Sequence, residues 1–281
     1  MKLARVGAPG SERPVAIVGE KAYALDGIIG DVDAAFWESG ALDRVTSAVE
    51  NGALPEVLLE SVRFGAPIAR PSSVLCIGMN YAAHTAESGA EPPAVPILFH
   101  KAPNTVVGPY DEVAIPPGSQ KTDWEVELGV VIGRRASYLD SPEDSRDHIA
   151  GYVLVNDLSE RSYQLDVSGG QWSKGKSCEG FCPTGPWLVT PDEFDPADAA
   201  ISSWVNGQPR QASRTADMIF DVPTVVHHLS QYLVLEPGDL ICTGTPEGVA
   251  LSGRFPYLSA GDVVELSIDG LGKQHQTFKK A

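Results

Sequence analysis

Asp123-Trp124-Glu125-Val126-Glu127-Leu128-Gly129 continues through Val130, Val131 and Ile132 to Gly133, and Trp124 to Ile132 reads as the longest strand of the chain. Side chains on a strand alternate faces, so Trp124, Val126 and Leu128 point one way and Glu125 and Glu127 the other. The two carboxylates then start roughly 7 Å apart on one face. The rest of the strand is apolar enough to belong to a core, where two like charges are costly without a cation to neutralise them. Three readings of the pair are open at this point: an exposed strand face, ordinary salt-bridge partners, or ligands of a metal ion.

A second acidic position lies downstream. Gly151-Tyr152-Val153-Leu154-Val155-Asn156-Asp157 is an apolar strand ending in Asp157, with Arg161 and Gln164 following at helical spacing. Three carboxylates from strand positions suit a hard divalent ion such as Mg²⁺ or Mn²⁺, whose remaining octahedral positions stay open to water or substrate. Zinc suits them poorly, because no His or Cys stands near these acids in sequence. An Asp that closes a strand can also simply cap a helix.

Further polar residues cluster in three short segments. In Gly78-Met79-Asn80-Tyr81-Ala82-Ala83-His84-Thr85-Ala86-Glu87, His84 and Glu87 are i and i+3 on a predicted short helix and share a face. A carboxylate beside an imidazole raises its basicity and fixes its tautomer, which suits activation of water; the plainer reading is a surface His beside a surface Glu. Ser173-Lys174-Gly175-Lys176-Ser177 sets two cations beside glycine, able to hold a substrate carboxylate or stabilise an enolate, or simply solvated. Its spacing is wrong for a phosphate-binding loop. Thr243-Gly244-Thr245-Pro246-Glu247-Gly248-Val249 follows a strand and offers hydroxyl and backbone donors to an anion, or is only a tight turn.

Around these segments the chain from Ser73 onward reads as mainly β, with strands at Val74 to Ile77, Ile201 to Val205 (ahead of an Asn206-Gly207 hairpin turn), Leu240 to Thr243 and Val263 to Ile268. Pro223 to Tyr232 reads as a helix capped by Asp221. Upstream, Leu3 to Val6, Val15 to Val18 and Ala22 to Leu25 form a meander, and Asp31 to Val49 has helical periodicity divided at Gly40. The Pro-bearing segment Phe64 to Pro71 sets residues 1–68 apart as a small α/β unit from residues 69–281.

Composition narrows the function. The 281 residues are 43% hydrophobic and 21% charged, the balance of a globular chain with a proper core. With 37 acidic against 21 basic residues the net charge is −16, a field that disfavours nucleic acid and anionic lipid surfaces. An acidic protein that handles acidic substrates needs a local positive charge, often a metal. No run approaches the ~18 apolar residues of a membrane span, and no secretory signal pattern opens the chain, so a cytoplasmic protein is expected. Cys76, Cys178, Cys182 and Cys242 fit reduced thiols, most simply small buried residues.

Taken in order, five segments resemble the fumarylacetoacetate hydrolase family: CIGMNYAAHTAE (Cys76 to Glu87), DWEVELGVVIG (Asp123 to Gly133), VNDLSER (Val155 to Arg161), GKSCEGFCPTGP (Gly175 to Pro186) and TGTPEGV (Thr243 to Val249). The resemblance implies a mainly β (α+β) fold of layered mixed sheets behind a small amino-terminal domain, commonly a homodimer, that uses Mg²⁺ or Mn²⁺ on substrates carrying a 2-oxo acid group. It makes Glu125, Glu127 and Asp157 the metal ligands and His84 with Glu87 the water-activating pair. Lys176 becomes the lysine near the metal, and Arg161, Gln164 and Thr245 fall on substrate-contacting positions. Cys178-Glu179 departs from the aromatic and Asp that often follow GKS in relatives, which bears on the surroundings of Lys176. With both members of the water-activating pair present, the implied reaction is hydrolysis of a C–C bond in a 2,4-dioxo acid to pyruvate and a carboxylic acid. Asp269-Gly270-Leu271-Gly272-Lys273-Gln274 also resembles members acting on 2,4-diketo-3-deoxy sugar acids. The competing expectations are isomerisation of 2-hydroxyhepta-2,4-diene-1,7-dioate, decarboxylation of oxaloacetate, and a silent metal-bound binding module.

Overall fold

A computed structural model describes every residue from Met1 to Ala281. The Val126–Ile132 strand lies inside a ten-stranded mixed sheet, antiparallel to Ile149–Asn156 on one side and to Leu240–Cys242 on the other. Beyond Leu240–Cys242 come Val74–Gly78, in parallel, and Ile97–Lys101 at the edge. The strand starts later than its sequence pattern suggests, because the Glu125 N–H donates to the Asn156 side chain at 3.2 Å instead of joining the backbone ladder. Gly272–Lys280, at nine residues, is the longer strand.

The alternation of faces follows the sequence. Trp124, Val126, Leu128 and Val130, with Tyr152 and Leu154, share one core with Ile201, Val264, Leu266 and Phe278. Those partners belong to a second, five-stranded sheet, ordered Gln208–Arg214, Ala200–Val205, Val263–Ile268, Gly272–Lys280 and Val113–Ile115. Val131, Val153 and Val155 face the other way, into a core that includes Cys76, Cys242, Phe36 and Val45. Covering on both faces is why these central strands are apolar at nearly every position. The fold is therefore mainly β, in layered sheets with few helices.

Buried apolar residues of 1–68, among them Leu3, Leu25, Phe36 and Val45, share a cluster with Cys76, Val153 and Leu188 of residues 69–281. Lys2–Val6 pairs with Leu188–Val189, with Leu3 opposite Leu188, so the amino-terminal meander continues the ten-stranded sheet to its far edge at Glu56–Val57. Gly40, left-handed at φ 62°, does divide the helical segment, into Ala34–Glu38 and Ala41–Glu50. Asp221 caps the Val222–Ser230 helix by accepting from the Thr224 N–H. All four cysteines are free, and Cys76, Cys182 and Cys242 are buried. No helix is long and apolar enough to cross a membrane.

One end of the central strands gathers the polar segments. Asn80 ties the turn after Val74–Gly78 to two others, donating to the Thr243 and Phe220 carbonyls at 2.8 and 3.0 Å and accepting from the Phe220 N–H at 2.8 Å. Gly244, at φ 99°, lies so close to Asn80 that a Cβ would sit 2.9 Å from the Asn80 side chain. The loop of residues 243–249 is thereby held against that turn, and the Gly244 N–H and the Thr245 hydroxyl bind it to Glu127 and to the Val126 carbonyl.

Candidate metal and acid–base site

Glu125, Glu127 and Asp157 are buried and converge, with one carboxylate oxygen from each lying within 4.8 Å of the others. An exposed strand face is therefore excluded. The Glu125 carboxylate accepts from Lys176 Nζ at 2.5 Å and Arg161 at 2.6 Å. Asp157 accepts from Lys101 Nζ at 2.6 Å and Lys176 Nζ at 2.7 Å. Arg161 also donates to Asp123 at 2.8 Å, and Asp123 in turn accepts the backbone N–H groups of Trp124, Ala250 and Leu251. The salt-bridge reading thus holds for Glu125 and Asp157.

It does not hold for Glu127. That carboxylate accepts only the Gly244 N–H, at 2.9 Å, and has no cationic partner. Four buried carboxylates, at 123, 125, 127 and 157, face three buried cations, at 101, 161 and 176. Burial, then the charges of Asp157 and Glu125, push the Glu127 carboxyl well above its ordinary range. Burial raises Glu125 too, but Lys176 and Arg161 overcome it and hold that carboxyl ionised far below the usual range. Burial opposes the charges on Lys176 and Arg161, yet the carboxylates keep both protonated. Three convergent oxygen donors, whose full ionisation would leave one negative charge unmatched, form a donor set that a hard divalent cation fits and would relieve.

His84 and Thr85 are buried on the Ala82–Glu87 helix. Burial lowers the His84 imidazole below its ordinary value of 6.5, against the pull of Glu125 and with help from Arg161 and Lys176. A neutral imidazole at neutral pH is the form that accepts a proton. Glu87 shares its face as expected, but Nδ1 and the carboxylate stand 3.8 Å apart, too far for a hydrogen bond, and Nδ1 has no partner. The Glu87 carboxylate is bound instead by Arg254 and by the Gly248 N–H at 3.1 Å.

A cavity of about 170 Å³ brings His84, Glu125, Glu127, Arg161, Gln164, Lys176 and Thr245 together. Gln164 accepts from Arg161 at 2.9 Å. The Thr245 hydroxyl donates to the Val126 carbonyl at 2.9 Å and accepts from Gln211 at 2.7 Å, so its proton is already committed to holding the strand. The Ser173–Lys176 turn buries Lys176 and leaves Lys174 exposed, which divides the lysine pair between the two readings. A larger surface cleft of about 780 Å³ lies elsewhere and holds none of these residues.

The fumarylacetoacetate (FAA) hydrolase C-terminal model matches residues 73–279, the segment that contributes every residue of this cavity. The chain belongs to the fumarylacetoacetate hydrolase family. Among its relatives is a 2,4-didehydro-3-deoxy-L-rhamnonate hydrolase of a Sphingomonas species, 44% identical across 98% of this chain and 95% of that protein. Among solved structures, a putative HpcE protein from Mycobacterium smegmatis superposes with a TM-score of 0.90 at 33% identity, over the whole of both chains. Maleylpyruvate hydrolase from Sphingobium sp. SYK-6, solved with manganese(II) and pyruvate, gives 0.82 at 27% identity, again over both whole chains.

Several residues of this family member's site escaped the sequence reading. Lys101 carries no clear periodic signal, because on the edge strand Ile97–Lys101 only His100 between Phe99 and Lys101 is exposed and Leu98 is half-buried; its pairing with Asp157 comes from far along the chain. Asp123 stood inside the quoted stretch but carried no visible partner until folding brought Arg161 to it. Arg254 had no local signal.

Proposed function

We propose that this protein is a divalent-metal-dependent hydrolase that cleaves a C–C bond in a 2,4-dioxo acid, giving pyruvate and a carboxylic acid. The observation that carries the reading is the surplus carboxylate: Glu127 is buried beside Glu125 and Asp157 with no cation of its own, in a cavity that also holds a neutral imidazole. The manganese and pyruvate in the maleylpyruvate hydrolase structure, and the diketo sugar acid implied by the name of the rhamnonate hydrolase, support the same direction.

Glu125, Glu127 and Asp157 would hold Mg²⁺ or Mn²⁺, which supplies a Lewis acid for the carboxylate and keto oxygens of the substrate. Lys176 and Arg161, fixed by the same carboxylates, place positive charge beside the 2-oxo acid head. His84 takes a proton from a water as that water adds to the C4 carbonyl. The C3–C4 bond then breaks, its electron pair stays on the pyruvate carbon, and a proton returned to that carbon completes the products. Glu87 acts through His84, and must exchange Arg254 for the imidazole to do so.

The test is pyruvate release from acylpyruvates and 2,4-diketo-3-deoxy acids by chelator-treated protein, with and without added Mg²⁺ or Mn²⁺. Release that needs the metal and falls by about 10²-fold in His84→Ala is expected. Oxaloacetate decarboxylation or tautomerisation that survives His84→Ala, with no hydrolysis of any 2,4-dioxo acid, would replace hydrolysis with an enolisation that needs no activated water.

A further inference from the structure

The polar end of the cavity is shared by all 2-oxo acid chemistry, but its other walls are particular. Lys176 Nζ lies 5.1 Å from the centre of the Phe99 ring, which places Phe99 beside the carboxylate floor. Trp172 meets Phe99 edge-on, with ring centres 5.7 Å apart, and lines the same cavity. The edge of the indole reaches Gly78, where a Cβ would sit 2.6 Å from the ring, so only glycine leaves the indole this place. Leu165 lines the cavity while 44% exposed, which marks the mouth, and Met79 and Leu251 add further apolar wall.

Charge is absent from this outer part. Arg161 and Lys176 are the two Lys or Arg residues lining the cavity, and both are bound to carboxylates at the floor. Lys174 is exposed and donates to the Ser168 carbonyl, and Arg254 is bound to Glu87; neither lines the cavity. A carboxylate at the far end of a substrate would shed water with no countercharge to receive it.

Resting on the proposed reaction, we infer that the tail beyond the scissile bond is uncharged, with an apolar side laid along Trp172 and Leu165, and that substrates ending in a second carboxylate are rejected. Trp172 is the specificity-determining wall. Hydroxyl groups on such a tail stay compatible, since they need partners and not countercharge.

The experiment compares 2,4-dioxoheptanoate with 2,4-dioxoheptane-1,7-dioate, which share chain length and differ in the terminal carboxylate. With Mg²⁺-loaded protein, kcat/KM favours the neutral tail by roughly 100-fold. Leu165→Arg, a change at the exposed mouth, narrows that ratio by about 10-fold or more by supplying the missing charge. Binding is read separately by calorimetry and tryptophan fluorescence with 2-oxoheptanoate and 2-oxoheptanedioate, which lack the C4 carbonyl and cannot be cleaved. Tighter binding of the monoacid, lost in Trp172→Ala and kept in Trp172→Phe, sustains the inference even if no dioxo acid is hydrolysed. Equal or tighter binding of the diacid, no binding of either, or a Trp172→Ala change that weakens both probes equally would overturn it, whether or not hydrolysis is found.

Discussion

The floor of the cavity and its helical flank are built to different standards. At the floor Glu125, Lys176 and Arg161, and beneath it Asp157 and Lys101, are buried and each is bound by at least two partners. On the flank, His84 Nδ1 has no partner, and Glu87 is bound by Arg254, whose side chain is 54% exposed. On the proposed reaction, the difference separates what is ready in advance from what is not. The donors assigned to a metal and a 2-oxo acid head are fixed by the sheet, whereas the proposed water-activating pair would form only when Glu87 changes partner.

That comparison breaks first if the floor proves dispensable. Glu127→Ala should lower kcat/KM for a 2,4-dioxo acid by at least about 10²–10³-fold, because the cavity loses a donor and its surplus charge together; steady-state pyruvate release measures this. His84→Ala should cost hydrolysis about 10²-fold while leaving solvent-deuterium exchange at the C3 position, followed by NMR, close to wild type. Exchange lost along with hydrolysis would move His84 from water activation to enolisation.

Stability separates the same two regions. Lys101→Met leaves a buried Asp157 oxygen unpaired and should destabilise the fold by about 3–5 kcal/mol in denaturant titrations. Arg254→Gln breaks a pair at the surface and should cost less than about 1 kcal/mol. Its effect is expected in the pH profile instead. In the wild type the imidazole is held below 6.5, so neutral His84 persists as pH falls and the acid limb of kcat/KM lies below that value. Freeing Glu87 to approach His84 stabilises the imidazolium and should move the limb upward. An unmoved limb in Arg254→Gln would show that the exchange of partners plays no part.

Most of the floor was legible in sequence because strand geometry is local. The alternation of Trp124, Val126 and Leu128 against Glu125 and Glu127 needs only a period of two, and the cores on either side of the strand respect it. The helix of His84 and Glu87 was equally local, yet its hydrogen bond was not, since the competing Arg254 arrives from a distant loop. The same limit applied to residues 1–68. The Pro-bearing segment Phe64 to Pro71 is visible in the sequence, but the pairing of Leu3 with Leu188, which joins the two sides into one sheet, is not. Lys101 and Thr245 illustrate it at the site: which acid a lysine meets, and whether a hydroxyl is already engaged, depends on neighbours far along the chain.

Calorimetric titration of Mn²⁺ into chelator-stripped wild type and Glu127→Gln tests the central claim most directly. One ion bound per wild-type chain, with binding weakened by at least about 10-fold in the variant, is the predicted result. Wild-type protein that takes up no ion, or a variant that binds it equally well, would contradict the assignment of the three carboxylates.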